Sequence, residues 1–425
     1  MWVRGHTGRF ARVTPMHRHD HRFARSMRGM RSSVMRDLMA ITARPEVISL
    51  AGGLPDTGAF DPEELRDLTD RISREHSAAA LQYGPTEGLP AMRETVCRVM
   101  AAEQMHADPE QIIITTGGQQ VLDLVARTFI DPGDIVIAEG PTYPGAVPVF
   151  SACQADVEQV PIDSDGLDPE LVEARLDELE RRGRRPKYLY TIPTFHNPAG
   201  TTCTLERRLR LVELARERDL LILEDNPYSM LRYEGDPVPT LRSLDTTGNV
   251  MYLGTFSKVF APGVRLGWIA ADSGVLSRIN LVKQAADLCS SSMTQLVVSR
   301  FFNEHDWHGY IGRLIDVYRE RRDAMVAALE QYFPKQATWT VPMGGLFLWV
   351  TLPEAIDTQD LLARALMANV AFVPGAGAWL DGRASSSMRL NFSAADADTI
   401  TEGIRRLGEA INDVLILAER LGVVG

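Results

Sequence analysis

The sequence predicts an α/β protein, in which a mostly parallel seven-stranded sheet with helices on both faces carries a smaller α+β domain beside it. Three observations lead there. Between about residues 110 and 270, short apolar runs alternate with amphipathic helical stretches. Most of those runs are continuously apolar, as strands covered on both faces are. Beyond Tyr332 the pattern changes to shorter, mixed elements. The expected division is a basic, disordered tail over 1–30, an N-terminal segment over 31–80 joining the small domain, a large α/β domain over 81–310, and the small domain over 311–425.

In chain order, the tail holds Arg4, Arg9, Arg12, Arg18, Arg22, Arg25 and Arg28 against Asp20 as its one acid. It lacks the apolar core of a secretory signal. His17, His19 and His21 alternate there with no frame to fix them, so no metal site is expected. From Arg31 to Thr42, Val34, Leu38 and Ile41 recur at helical spacing, with Arg36 on the opposite face. Ala51-Gly52-Gly53-Leu54-Pro55 reads as a turn where backbone can approach something closely. Asp61-Pro62-Glu63 opens a helix with proline in its first turn. Leu81 to Gly88, containing Tyr83, is a loop before a helix from about Pro90 to Gln104.

The strand candidates are Ile112–Thr115, Ile135–Ala138, Val157–Val160, Tyr188–Thr191, Leu220–Leu223, Val250–Leu253 and Leu266–Ala270. Helical patterns between them include Gln119–Phe129, Pro169–Arg181 and Leu205–Arg218. One long helical region follows Ser273 to about Tyr332. Then come a strand in Met343 to Val350, a helix over Asp360–Ala368 and a strictly alternating strand, Met388 to Phe392. Ser393-x-x-Asp396 resembles a capping box before a final helix bearing Ile400, Ile404, Leu407 and Ile411.

Composition bounds the function. A net charge of −11 argues against nucleic acid as the main partner. No apolar run approaches the roughly 20 residues of a membrane span. Cys97, Cys153, Cys203 and Cys289 are scattered without a CxxC pair, as expected of reduced thiols in a cytoplasmic protein with neither disulfides nor zinc.

In open α/β sheets, ligands bind at the carboxyl ends of the strands, and the chemistry-bearing residues fall there. Thr116-Gly117-Gly118-Gln119 joins a strand to a helix, where freed N–H groups and the helix dipole suit an anion, although a bare tight turn has the same look. Tyr143, in a Pro/Gly turn, is placed either to lie against a planar ligand or to pack. Asn197-Pro198-Ala199-Gly200 is also ordinary turn chemistry. Glu224-Asp225 ends an apolar strand, and a carboxylate there needs solvent, a hydrogen bond or a cation; an N-cap role for Asp225 competes. Finally, Thr255-Phe-Ser257-Lys258 and Arg265 place a lysine and an arginine between two buried strands. A lysine so placed is the usual source of a Schiff-base nucleophile, and the hydroxyls with Arg265 suit a phosphate.

In this order Gly118-Gln119, Tyr143, Asn197-Pro198, Asp225-x-x-Tyr228 and Ser257-Lys258-x6-Arg265 resemble the cofactor residues of the class I/II (fold-type I) pyridoxal-phosphate aminotransferases. LQYGPTEG, AGGLP, TTGGQQ, HNPAG, TFSKVFAPGVRLGW and MRLNFS look most like the 2-aminoadipate/aromatic branch, and the likeness runs from about Arg31 to the C-terminus. It implies the fold-type I architecture, pyridoxal phosphate as cofactor, and amino-group transfer from an L-amino acid to a 2-oxo acid such as 2-oxoglutarate by a ping-pong route. It also implies roles: Lys258 as Schiff-base lysine and proton shuttle, Asp225 on the pyridinium, Asn197 and Tyr228 on the phenolate oxygen, and Tyr143 on the ring. Gly118, Gln119, Thr255, Ser257 and Arg265 would hold the phosphate. Tyr83 resembles the tyrosine that reaches a partner subunit's phosphate, which implies a homodimer with shared sites. Arg389 matches the arginine for the substrate α-carboxylate, with Gly53 and Asn197 beside it, and Arg36 aligns with a residue that meets a distal carboxylate.

Two departures stand out: Gly118 replaces the serine usual in this branch, and Thr255 replaces a serine. Two alternatives remain. Another reaction of the same fold (elimination, decarboxylation, oxidation or cyclisation) would use the same cofactor residues. A regulator carrying this domain would need a winged helix-turn-helix ahead of it, and the basic tail is too short for one.

Overall fold

The computed structural model describes residues 44–420 continuously, preceded by the short stretches 2–4, 10–12, 18–28 and residue 30. The expected helix over Arg31–Thr42, and Arg36 with it, lies outside the described residues. In the tail, Trp2–Arg4 pairs antiparallel with Phe10–Arg12.

The large sheet contains β1 (Ile112–Thr115), β2 (Ile135–Gly140), β3 (Asp156–Asp163), β4 (Gly166–Leu167), β5 (Pro186–Thr191), β6 (Ile222–Asp225), β7 (Val250–Thr255) and β8 (Gly267–Ala270). Their spatial order is β1-β8-β7-β6-β5-β2-β3-β4. All seven predicted strands are present. The eighth, β4, is a two-residue return antiparallel to β3, too short to leave an apolar signature. Of the long strands only β8 runs against the others, pairing antiparallel with β7 and β1.

Alternate residues along each strand enter different cores. Val136 and Ala138 pack with Val121, Leu124 and Ile279 on one face, and Ile135 and Ile137 pack with Val172, Leu176 and Leu211 on the other. The first face is covered by α3 (Gly118–Phe129), the second by α4 (Pro169–Arg181) and α5 (Leu205–Arg218). Ahead of them stand α1 (Pro62–Glu75), capped by Asp61, and α2 (Pro90–Ala102). Two-sided burial is the physical reason for the continuous apolar runs.

The helical region expected from Ser273 to about Tyr332 is present as three helices: α6 (Ser273–Ala286), α7 (Ser292–Glu304) and α8 (Trp307–Tyr332). The breaks are local capping events. Ser291 accepts from the Thr294 N–H and Asp306 from the Gly309 N–H, while Leu288 has a φ of 66°.

The C-terminal part is a four-stranded sheet, β9 (Thr338–Trp339), β10 (Phe347–Thr351), β12 (Ser387–Asn391) and β11 (Val373–Pro374), in that order. It carries α9 (Thr358–Met367) and α10 (Ala397–Arg420). Ile400, Ile404, Leu407 and Ile411 of α10 are fully buried, each contributing about 1.5–3 kcal/mol. The capping box reading of Ser393 is corrected: Asp396 accepts from the Thr399 N–H, and the Ser393 hydroxyl instead donates to the Leu54 carbonyl at 2.7 Å. Ile48–Ser49 pairs parallel with Val370–Ala371, tying the N-terminal segment to this part.

Candidate active site

The carboxyl ends of β1, β2, β5, β6 and β7 share one edge of the sheet. Because β8 is antiparallel, its start lies at that edge too, and Arg265 just before it joins the residues that follow the parallel strands. A cavity of about 210 Å³ opens there, lined by Gly118, Gln119, Tyr143, Asn197, Asp225, Tyr228, Thr255, Ser257, Lys258 and Arg265. Ten residues singled out in the sequence therefore meet at one place.

One end of the cavity is built for an anion. Gly118 begins α3, whose first N–H groups and dipole face outward. Gly117 has a φ of 77°, and a Cβ there would stand 2.3 Å from Arg265 Nη2, so only glycine admits the guanidinium. Arg265 itself is left-handed, at φ 49°. Its bonds to the Ser257 hydroxyl (3.5 Å) and to the Thr116 (3.4 Å) and Pro262 (3.3 Å) carbonyls are all long, leaving donor capacity for an anion. The Thr255 hydroxyl bonds to Ser257 Oγ at 3.0 Å and takes the Ser257 N–H at 3.2 Å. The Gly118 departure has a steric counterpart: a Cβ there would stand 3.1 Å from Leu253 Cδ2. Gln119 lines the cavity but its amide is engaged by the Gly145 carbonyl at 2.9 Å.

At the other end, Asp225 is 5 % exposed and accepts from the Tyr190 hydroxyl at 2.8 Å. Burial pushes its carboxyl up to about 7, and the charge of Glu139 adds to that against the lowering bond from Tyr190. Its place at the end of β6, with Asn226 bonded to β7 through Leu253 O, decides against the N-cap reading. Lys258 Nζ donates to the Gly53 carbonyl at 2.7 Å. Burial, then the charges of Arg389 and Arg265, lower its pKa to about 8.

Arg389 lies on the polar face of β12, and that face is buried, not solvated: Arg389 is 3 % exposed and Asn391 is 1 % exposed. The guanidinium sits 4.2 Å over the Phe347 ring and donates to Asn197 Oδ1 (3.0 Å) and the Ala51 carbonyl (2.7 Å). Asn197 Nδ2 reaches the Tyr228 hydroxyl at 3.3 Å, so one side chain joins the arginine to the cavity tyrosine. Gly53 is demanded by packing: a Cβ would fall 2.8 Å from Phe347 Cζ.

Tyr83 is 78 % exposed and does not line the cavity of its own chain. Sequence reasoning missed Tyr190, Phe347 and Glu139. Glu139 ends β2 and accepts from Thr191 Oγ1 and the Ile192 N–H, both at 2.7 Å, while His196 Nε2 faces it at 3.1 Å. His196 Nδ1 accepts the Ala199 N–H at 3.1 Å, which holds the turn bearing Asn197. An acid at the end of β2, matching the acids ending β6, was the one available signal. Tyr190 and Phe347 read as ordinary strand aromatics.

Residues 45–407 match the family described as aminotransferase class I and II. The chain belongs to that family. It is a pyridoxal-phosphate-dependent aminotransferase. Aromatic-amino-acid aminotransferase 1 of Thermococcus litoralis is 42 % identical over 392 residues, 92 % of this chain and 94 % of that one. The crystal structure of a Pyrococcus horikoshii kynurenine aminotransferase superposes with a TM-score of 0.89 at 41 % identity, covering 93 % of this chain and 98 % of that one. The α-aminoadipate aminotransferase LysN of Thermus thermophilus, complexed with N-(5'-phosphopyridoxyl)-L-leucine, gives 0.87 at 36 % identity, covering 93 % and 99 %.

The aminotransferase site suits its cofactor on physical grounds. Asp225 has a phenol donor but no cation within ion-pair reach among the described residues, and a protonated ring nitrogen set against it restores its full charge. Gly117→Ala tests the other end. Loss of the left-handed glycine and collision with Arg265 are expected to weaken cofactor binding and to cost about 1–3 kcal/mol of stability. Titration of the stripped variant with pyridoxal phosphate and its melting curve would check both; an unchanged affinity would remove Arg265 from the phosphate site.

Proposed function

We propose that this aminotransferase carries the amino group of an L-amino acid to 2-oxoglutarate by a ping-pong mechanism centred on Lys258. The observation that supports it is the convergence of Lys258, Asp225 and, through Asn197, Arg389 on one cavity. Pyridoxal phosphate, when bound, supplies an electron sink for the pair left behind as the α-proton departs. Arg389 takes the α-carboxylate of donor and acceptor through its planar fork. Lys258 is the covalent anchor of the cofactor, and its amine, lowered to about 8, carries the α-proton near neutral pH. Asp225 would keep the ring nitrogen charged, and Asn197 with Tyr228 would hold the phenolate oxygen. Tyr143 would lie against the ring, and Gly118, Thr255, Ser257 and Arg265 would bind the phosphate, with Gln119 joining them through its backbone N–H because its side-chain amide is engaged by Gly145.

The donor is an aromatic amino acid or 2-aminoadipate, as the names of the relatives suggest, with Arg36 meeting a distal carboxylate. The working unit is a homodimer in the cytoplasm, Tyr83 reaching the phosphate of the partner's site, a role that fits its exposure in one chain. A donor screen decides the reaction: phenylalanine, tyrosine, kynurenine and 2-aminoadipate are offered without acceptor, and formation of the pyridoxamine form is followed by absorbance. Product formed from a donor while the cofactor's visible band stays unchanged would replace transfer by elimination, decarboxylation, oxidation or cyclisation.

Arg389→Lys separates substrate from cofactor binding. Losing a two-pronged charged contact costs about 1.5–3 kcal/mol, so kcat/KM for the donor is expected to fall about 10- to 100-fold. Cofactor affinity is expected to hold. An unchanged kcat/KM would place the α-carboxylate elsewhere.

A further inference from the structure

A second cavity, of about 340 Å³, opens between the end of α2, the 229–240 loop and the start of α8. It shares no lining residue with the active-site cavity. Met230, Val238, Trp307 and Ile311 make most of its wall apolar, and its volume is that of a small-molecule site, roughly 300–1,000 Å³. Two opposite charges line it. The Glu103 carboxyl accepts from the hydroxyls of Ser229 and of Tyr252, the latter at 3.3 Å. No lysine, arginine or histidine among the described residues lies within ion-pair distance of it, and burial pushes it up to about 7. Arg232 stacks 4.7 Å over the Phe195 ring, has one long bond to the Glu234 carbonyl at 3.4 Å, and likewise has no carboxylate within ion-pair distance.

Glu103 and Arg232 are each partly buried, and neither has a counter-ion within ion-pair distance among the described residues, so each keeps charge that a ligand could meet. They are too far apart to pair with each other, yet both face the same apolar space. A ligand that carries a cation and an anion, and brings no net charge, relieves both. We propose that this cavity is a second ligand site, which takes a free apolar amino acid as its zwitterion, the ammonium against Glu103, the carboxylate against Arg232 and the side chain among Met230, Val238, Trp307 and Ile311.

The site is wired to the catalytic one. Ser229 follows Tyr228 directly, and Tyr252, which donates to Glu103, accepts from Asn226 Nδ2 at 3.1 Å, next to Asp225.

The test is calorimetric titration of the holoenzyme with N,N-dimethyl-L-phenylalanine, a zwitterion whose tertiary amine cannot form a Schiff base with the cofactor. Saturable binding is expected, weakened at least about tenfold in Glu103→Gln and in Arg232→Met, and blocked in Ile311→Trp, which fills the cavity. The visible band of bound cofactor in each variant reports that the enzyme remains folded and loaded. Absence of saturable binding to the wild type overturns the proposal. So does binding that is equal in all three variants, because it would then belong to Arg389 in the active site. Neither result bears on the transfer reaction, which the donor screen tests separately.

Discussion

Lys258→Ala is expected to lower the transfer rate by at least about 10⁴-fold, the largest effect of any single substitution here. The same amine anchors the cofactor and moves the substrate proton, so its removal takes away covalent and acid–base catalysis together. Its surroundings explain why it serves at neutral pH. Burial first, then the charges of Arg389 and Arg265, destabilise the ammonium and bring its pKa to about 8. The neutral amine is the nucleophile, so loading of pyridoxal phosphate into stripped protein is expected to accelerate as pH rises through about 8 and to level off above it. A rate still climbing towards the ordinary lysine value near ~10.4 would mean that the site does not perturb Lys258. A Lys258→Ala enzyme turning over at the wild-type rate would end the proposed mechanism.

Asp225→Asn is the second. The carboxyl is nearly isosteric with the amide, and the amide oxygen can still accept from Tyr190, so the site's shape is preserved. What disappears is the negative charge that holds a proton on the ring nitrogen. Breaking such a buried pair costs about 3–5 kcal/mol, which predicts a fall in kcat of about 10²–10³-fold together with faster cofactor loss. The sign of the linkage can also be read in the stripped protein. Asp225 has a folded pKa raised from 3.8 to about 7, so its ionised form opposes folding. The wild-type stripped protein is therefore expected to lose stability, relative to Asp225→Asn, as pH rises from about 4 through 7. Bound cofactor removes that loss by supplying the cation. Equal kcat in the two enzymes would show that the ring nitrogen needs no partner.

The positions of the strands were legible because β1, β2 and β5 to β8 are buried on both faces, which forces unbroken apolar runs. Their ends were legible because charged and small residues interrupt those runs abruptly, at Glu139, Asp225 and Thr255-x-x-Lys258. The two breaks within the long helical region after Ser273 were not, since single capping side chains at Ser291 and Asp306 decide them within an otherwise continuous helical pattern. The capping role passed from Ser393 to Asp396 for a similar reason. The Ser393 hydroxyl is claimed by the Leu54 carbonyl, 339 positions away in the chain.

Residue types at strand ends pointed to an anion site and a candidate Schiff-base lysine, because lysine, aspartate and arginine beside buried strands require partners wherever the strands lie. The cofactor and the role of each residue came from the resemblance of those motifs, taken in order, to the aminotransferase family. Distance along the chain carries no information about the contacts that complete the site. Arg389 meets Asn197 across 192 residues and Lys258 meets Gly53 across 205. Tyr190 turns towards Asp225 only because β5 and β6 are neighbours in register. Strand order, and the reversal of β8 that brings Arg265 to the same edge, are products of packing helices on both faces of one sheet. Local sequence dictates which groups need partners; the fold alone decides which groups those partners are.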